Sequence, residues 1–158
     1  MRRDLAKLLL DEMSVNEDIY LITGDLGYGL WDSVRDTFPD RFFNVGSSEM
    51  VMMGTAIGLA MEGKIPFVYS ITPFAIYRPY EMIRNYLNHE SIPVNILGGG
   101  RDRDYGYLGF SHWADDDKEL MKSFTNIKMY HPETKDELKN NFRSIINDRT
   151  PSYLNLKK

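Results

Sequence analysis

The 158-residue sequence contains no cysteine, which excludes disulfide bonds, thiolate metal ligands and cysteine nucleophiles. It also lacks any apolar run of about 18 residues, so no segment is predicted to cross a membrane. Its 19 basic residues against 23 acidic ones give a net charge of −4, without the positive surplus typical of nucleic-acid binders. The N-terminus lacks the apolar core of a signal peptide. We therefore expect a cytoplasmic protein whose chemistry depends on carboxylates, histidines, hydroxyls or a bound cofactor.

Short apolar runs alternate with helical patterns along the whole chain. Such runs, without polar alternation, are typical of strands that are buried on both faces. They lie at 19–23, 42–45, 65–70, 92–97, 127–130 and 152–156. The alternation predicts an α/β fold, an open and mostly parallel sheet of about six strands with helices on both faces. Ligands of such sheets bind beyond the carboxyl ends of the strands.

One segment at a predicted carboxyl end is rich in glycine. Residues 24–29 read GDLGYG, which is neither the dinucleotide-binding G-x-G-x-x-G pattern nor a P-loop. A loop with no phosphate role is therefore the simplest interpretation of these glycines.

Glu49 begins a helix predicted over 48–62. An acidic residue in the first turn of a helix interacts favourably with the helix dipole, which gives Glu49 a purely structural interpretation. The helix is nearly free of charge, however, and this predicts burial on most of its sides. A carboxylate at the head of a buried helix loses its hydration, as working acids and bases do. The residues alone leave both interpretations open.

A longer pattern resembles a known family. Residues 38–60, FPDRFFNVGSSEMVMMGTAIGLA, resemble the F-P-x-R-F-x-N-x-G-I-x-E-x-x-M-x-G-x-A-x-G-L-A pattern of the pyrimidine-binding domain of transketolases. Residues 24–27, 74–84 and 111–112 are similar to its A-D-L-G, F-x-x-F…R-x-Y-D-Q-I-R and [ST]-H-Q segments. The ending, PSYLNL, is similar to its closing P-V-Y-x-R-L strand. The resemblance implies a thiamine-diphosphate-binding fold of the pyrimidine type, with one pyrimidine-binding domain over 1–158.

The resemblance also implies roles for single residues. Glu49 would hydrogen-bond the aminopyrimidine of thiamine diphosphate and so help the cofactor to lose its thiazolium proton. Phe74 and Tyr77 would surround the pyrimidine, although ordinary packing aromatics are the alternative. Asp25 and Leu26 would border the thiazolium ring, and Asp25 is otherwise a turn residue.

The family's diphosphate-binding motif, G-D-G with a downstream asparagine, is missing from this sequence. The resemblance therefore implies a partner subunit that holds the diphosphate and Mg²⁺, and it assigns no metal ligand to this chain.

Small residues on the 48–62 helix, Gly54 and Gly58 among them, predict close helix contact between two copies, as a homodimer within a heterotetramer. Alternative functions are a 1-deoxyxylulose-5-phosphate-synthase-like or 2-oxoacid-dehydrogenase-beta-like subunit, or a non-catalytic regulatory partner of such an enzyme.

The segment before His112 departs from the family pattern G-E-D-G-x-[ST]-H-Q. Tyr107 and Leu108 replace the acidic pair, and Trp113 replaces the glutamine. The resemblance implies that His112 faces the sugar substrate. The loss of the acidic pair predicts a substrate other than a standard pentose phosphate. Packing of the irregular loop 98–113 against a partner subunit is the alternative.

Three further polar features receive structural interpretations. Residues 101–104 form a charge run typical of a solvated loop, although an arginine there that binds an anionic substrate group is an alternative. Residues 115–117 are acidic and suit the start of a helix. His89 and His131 have no readable catalytic companion, so we interpret both as structural or solvated.

Overall fold

The computed structural model describes all 158 residues and contains one six-stranded sheet. The strands are β1 (Ile19–Thr23), β2 (Phe42–Asn44), β3 (Ile65–Ile71), β4 (Asn95–Gly99), β5 (Lys128–Tyr130) and β6 (Ser152–Leu156). They are arranged in the order β2-β1-β3-β4-β6-β5, and every neighbouring pair is parallel. The predicted α/β fold with an open parallel sheet is confirmed.

Helices cover both faces of this sheet. The α-helices are α1 (Arg2–Met13), α2 (Asp32–Thr37), α3 (Glu49–Met61), α4 (Thr72–Tyr77), α5 (Tyr80–Met82), α6 (Asp117–Lys122) and α7 (Lys135–Asp148). A π-helix, Ile83–His89, continues α5, and short 3₁₀ turns lie at Pro39–Arg41, Gly106–Leu108 and Phe110–His112. No helix is both long and apolar enough to span a bilayer.

The core consists of two apolar clusters because successive side chains of a strand point to opposite faces. One cluster joins the sheet to α3, α4, the π-helix and α6 through residues such as Ile22 and Val68. The other joins it to α1, α2 and α7 through residues such as Leu21 and Phe67. All strands are parallel, so the segments that follow β1, β3 and β4 meet at one edge of the sheet.

The structure differs from the sequence prediction in two places. The strand predicted at 92–97 begins only at Asn95. The burial of α3 is less complete than predicted: Glu49 and the side of the helix that faces the sheet are buried, but Met50, Val51 and Met61 are exposed. The sheet covers one face of this helix, and Met82 of α5 lies against Gly54 on the other, which leaves those three residues exposed.

Candidate functional site

Glu49 is the first residue of α3, and its side chain is only 3% exposed. It lies beside Gly24 at the end of β1, where a Cβ atom would be 3.7 Å from Glu49 Oε1. Arg78 Nη1 donates a hydrogen bond of 2.8 Å to the same oxygen. The carboxylate is therefore buried at the sheet edge and paired with one cation.

Phe74 and Arg78 are one helical turn apart on α4 and its C-terminal cap, a spacing that places their side chains on the same face. The guanidinium carbon of Arg78 lies 3.7 Å from the centre of the Phe74 ring. His112 approaches the same ring edge-on, with 5.0 Å between the two ring centres. The structure thus brings Glu49, Phe74 and His112 together, with Arg78 as the link that the sequence analysis did not single out.

Tyr77 lies beside this group rather than within it. It lines a neighbouring cavity of about 230 Å³ whose other walls include Phe110, Trp113 and Asp116. Burial, together with the Asp116 carboxylate, raises the pKa of the Tyr77 hydroxyl well above its usual value. Loop 98–113 therefore forms one wall of an aromatic cavity next to His112.

Asp25 and Leu26 lie in the loop after β1. The Asp25 carboxylate accepts hydrogen bonds from the Tyr28 hydroxyl and from Asn44 Nδ2, the latter at 3.2 Å. These two bonds lower the pKa of Asp25 below its usual value. Leu26 lines a different, larger cavity of about 480 Å³ that also contains Arg2 and tyrosine side chains. Asp25 adjoins Gly24, next to the Glu49 carboxylate, but it makes no hydrogen bond to Glu49.

Arg101 corrects the interpretation of residues 101–104 as a solvated charge run. Its side chain is 1% exposed, and its Nε donates to Asn155 Oδ1 at 2.9 Å. Its Nη2 donates to the carbonyls of Asn155 and Pro132, and its Nη1 to Glu133. All three nitrogens of the guanidinium donate hydrogen bonds, which fix the beginning of loop 98–113 to β6 and to the segment after β5.

Asp117 is the first residue of α6, as the interpretation of the acidic cluster as a helix start predicts, and it also belongs to a buried network. It is 1% exposed and accepts hydrogen bonds from the Tyr153 hydroxyl at 2.5 Å and from Asn155 Nδ2 at 2.8 Å. His131 Nε2 lies 3.5 Å from it. Burial alone would raise the pKa of Asp117, but the nearby His131 ring and the hydrogen bond from Tyr153 outweigh it and lower that pKa. The sequence signal for this network is the polar Asn155 between two leucines of the last strand.

The network also reaches the helix that carries Phe74. Asn155 Nδ2 lies 3.2 Å from Thr72 Oγ1, and the Thr72 hydroxyl donates to the Gly100 carbonyl at 2.6 Å. Thr72 is the first residue of α4. The helix with Phe74 and the loop with His112 are therefore anchored to the same strand.

The chain is similar to known proteins both in sequence and in structure. The profile of the family described as transketolase, pyrimidine binding domain, matches residues 1–158. The chain is 33% identical to one of the subunits of apulose-4-phosphate transketolase from Actinobacillus succinogenes over 119 residues, covering 75% of this chain and 38% of that protein. It is 28% identical to the 6-deoxy-6-sulfo-D-fructose transketolase subunit SqwH of Clostridium sp. (strain MSTE9) over 159 residues, covering 99% and 49%.

A solved structure shows the same arrangement of elements. A split gene transketolase, described as an inactive beta4 tetramer, superposes with a TM-score of 0.85 at 29% identity and covers 99% of this chain. The match covers 50% of that structure's chain. The chain thus spans about half, or less, of the length of the relatives it matches.

Proposed function

The chain belongs to the transketolase pyrimidine-binding domain family, and on this premise we propose that it forms the pyrimidine side of a thiamine-diphosphate site. The observation that supports this best is the buried Glu49 carboxylate, which shares the Arg78 guanidinium with the Phe74 ring. The reaction proposed is transfer of a two-carbon ketol unit between sugars. A partner subunit would hold the diphosphate and Mg²⁺, since the G-D-G motif that does so in the family is missing here.

The residues present fit the pyrimidine half of this cofactor. A flat heterocycle with ring nitrogens needs one hydrogen-bonding group at its edge and one flat apolar surface against its face. Glu49 and Phe74 supply these, and Gly24 leaves room between β1 and the carboxylate. We assign Tyr77 to the outer wall of the pyrimidine subsite, and Asp25 and Leu26 to the thiazolium side.

Within this site, Glu49 would exchange a proton with the pyrimidine nitrogen. Because its carboxylate is 3% exposed, water does not compete for that proton or weaken the hydrogen bond. Thiamine diphosphate, when bound, supplies the electron sink that cleavage and formation of the carbon–carbon bond require. The protein supplies orientation and control of the proton.

We further propose that the exposed apolar residues of α3 join two copies of the chain. Met50, Val51 and Met61 are exposed on this helix, and a Cβ atom at Gly58 would meet no atom within 4 Å. Small and apolar residues on one exposed helix face suit the close approach of a symmetry-related helix. A homodimer bound to two diphosphate-binding subunits would be a heterotetramer.

Reconstitution tests both proposals at once. We expect calorimetry with thiamine diphosphate and Mg²⁺ to show tight binding only when this chain is mixed with a subunit that contains the G-D-G motif. Sedimentation should show a dimer of this chain alone and a larger complex in the mixture. The partner subunit by itself, measured at the same concentration, is the control. Equally tight binding by this chain alone, or a monomer that ignores the partner, would contradict the proposal.

The loop next to His112 supports a substrate other than a standard pentose phosphate. Tyr107, at one position of the family's acidic pair, is 78% exposed, and the nearby Phe110 is 81% exposed, so the loop presents aromatic surface beside His112. The names of two relatives specify apulose 4-phosphate and 6-deoxy-6-sulfo-D-fructose, neither of which is the usual pentose pair. We propose a modified sugar as the substrate, with His112 close to its reacting end. Packing of this loop on the partner subunit is the competing proposal.

In the reconstituted enzyme, xylulose 5-phosphate with ribose 5-phosphate should react at least tenfold less efficiently than in ordinary transketolases. The reason is the loss of charge-assisted hydrogen bonds worth roughly 1.5–3 kcal/mol each. On the substrate that the enzyme accepts, His112→Ala should lower turnover about 100-fold, the scale of a lost acid–base group. His89→Ala is the matched control, because His89 is an 82% exposed histidine on the π-helix. Ordinary efficiency with the pentose phosphates would contradict the proposed change in specificity.

A further inference from the structure

One side chain covers both parts of the proposed pyrimidine subsite. The guanidinium of Arg78 hydrogen-bonds the Glu49 carboxylate at 2.8 Å and lies 3.7 Å from the centre of the Phe74 ring. These are the two contacts that the pyrimidine itself requires, one edge hydrogen bond and one stacked face. The two cannot both occupy this space.

The guanidinium suits this place for the same physical reasons as a pyrimidine. Both groups are planar, both carry N–H donors on their edge, and both stack on an aromatic face. The positive charge of Arg78 also compensates the buried carboxylate, which is costly to leave unpaired. In the chain without cofactor, Arg78 therefore supplies the hydrogen bond to Glu49 and the stacking contact to Phe74.

The two partners of the ion pair differ in their freedom to move. Glu49 is 3% exposed and fixed at the start of α3, whereas Arg78 is 46% exposed and lies at the C-terminal cap of the short helix α4. Its stacking and its single ion pair are the contacts that hold the guanidinium. A rotation of the Arg78 side chain into solvent therefore opens the subsite without any change in the backbone.

We propose that Arg78 is a displaceable occupant of the pyrimidine subsite, which closes the site until the cofactor replaces its guanidinium. This inference rests on the proposed function, because it takes the Glu49–Phe74 subsite to be the place of the pyrimidine. It has a thermodynamic consequence. The apparent affinity for the pyrimidine is lowered by the fraction of chains in which Arg78 has left the site.

The test measures binding of 4-amino-2-methylpyrimidine, the pyrimidine half of thiamine, to the isotope-labelled full chain by NMR. Arg78→Met keeps an unbranched, flexible stem but removes the planar cation, and it should bind the probe about tenfold more tightly than the wild type. Arg84→Met is the matched control, since Arg84 is an exposed arginine whose side chain bonds only the neighbouring Asn85. It should bind like the wild type.

A second measurement needs no substitution. The Arg78 side-chain N–H signal in the wild-type chain should be shifted by the Phe74 ring and should move toward the value of free arginine as the probe is added. Probe binding that depends on Glu49 but is equal or weaker in Arg78→Met, with an unchanged Arg78 signal, overturns this inference and leaves the proposed function standing. Absence of probe binding in every variant, or binding that does not respond to Glu49→Gln, overturns both.

Discussion

Replacing Glu49 by glutamine should lower the turnover of the reconstituted enzyme about 100-fold or more. Glutamine preserves the size of the side chain and can still accept a hydrogen bond from Arg78, so the first turn of α3 is expected to remain intact. What the amide cannot do is exchange a proton with the pyrimidine nitrogen. The measurement is steady-state turnover of wild-type and variant complexes at saturating thiamine diphosphate and Mg²⁺.

Two controls separate this chemical effect from a structural one. Glu62→Gln changes an exposed glutamate at the other end of the same helix and should leave turnover unchanged. Sedimentation of the Glu49→Gln complex should match that of the wild type. Near-normal turnover in Glu49→Gln would return this residue to the role of a helix-start carboxylate that the sequence alone also allowed.

The second large effect is expected on stability. Arg101→Met should lower the free energy of unfolding by about 3 kcal/mol, because it leaves buried oxygens without their donor and each such loss costs about 1–3 kcal/mol. These oxygens belong to Asn155 and Pro132, and all of them accept hydrogen bonds from the same guanidinium. The measurement is the urea dependence of unfolding, with the slope compared to confirm an unchanged native state.

Arg103→Met is the matched control in the same loop. Arg103 is 63% exposed, and it pairs with the exposed Asp115 and stacks on Trp113. Contacts at the surface contribute little, so the loss should stay below about 1 kcal/mol. Equal effects of the two substitutions would show that the buried network does not anchor the loop.

The contrast between Arg101 and Arg103 shows where prediction from sequence ends. Both stand in one run of alternating charges, and neighbouring residues give no sign that one is buried and the other exposed. The burial of Arg101 is decided by Asn155, 54 positions away along the chain. The strands, by contrast, were predictable because their apolar runs record burial on both faces within a few consecutive residues.

In the candidate site, too, some features could be predicted from neighbouring residues and others depend on contacts between distant ones. The buried position of Glu49 could be expected from the uncharged helix that it begins, and the structure shows it. The pairing with Arg78 depends on α4, which is only six residues long and follows β3 without a polar break, so the pattern did not show it. The two aromatic residues of α4 also have different surroundings. Phe74 contacts Arg78, whereas Tyr77 lines a cavity together with Trp113.

The position of β6 between β4 and β5 has a consequence for how the chain reaches its native state. Within the sheet, β5 pairs only with β6, so Lys128–Tyr130 has no strand partner until Ser152–Leu156 has emerged from the ribosome. Asn155 belongs to the same strand, so the hydrogen bonds that Arg101 and Asp117 make with it cannot form before β6 is synthesised. Pairing between distant segments is slow, and incomplete sheets expose surfaces that aggregate. Completion of this half of the sheet is therefore a late event in folding, and a nascent chain that stalls before residue 152 leaves β5 unpaired and the loop of His112 unanchored.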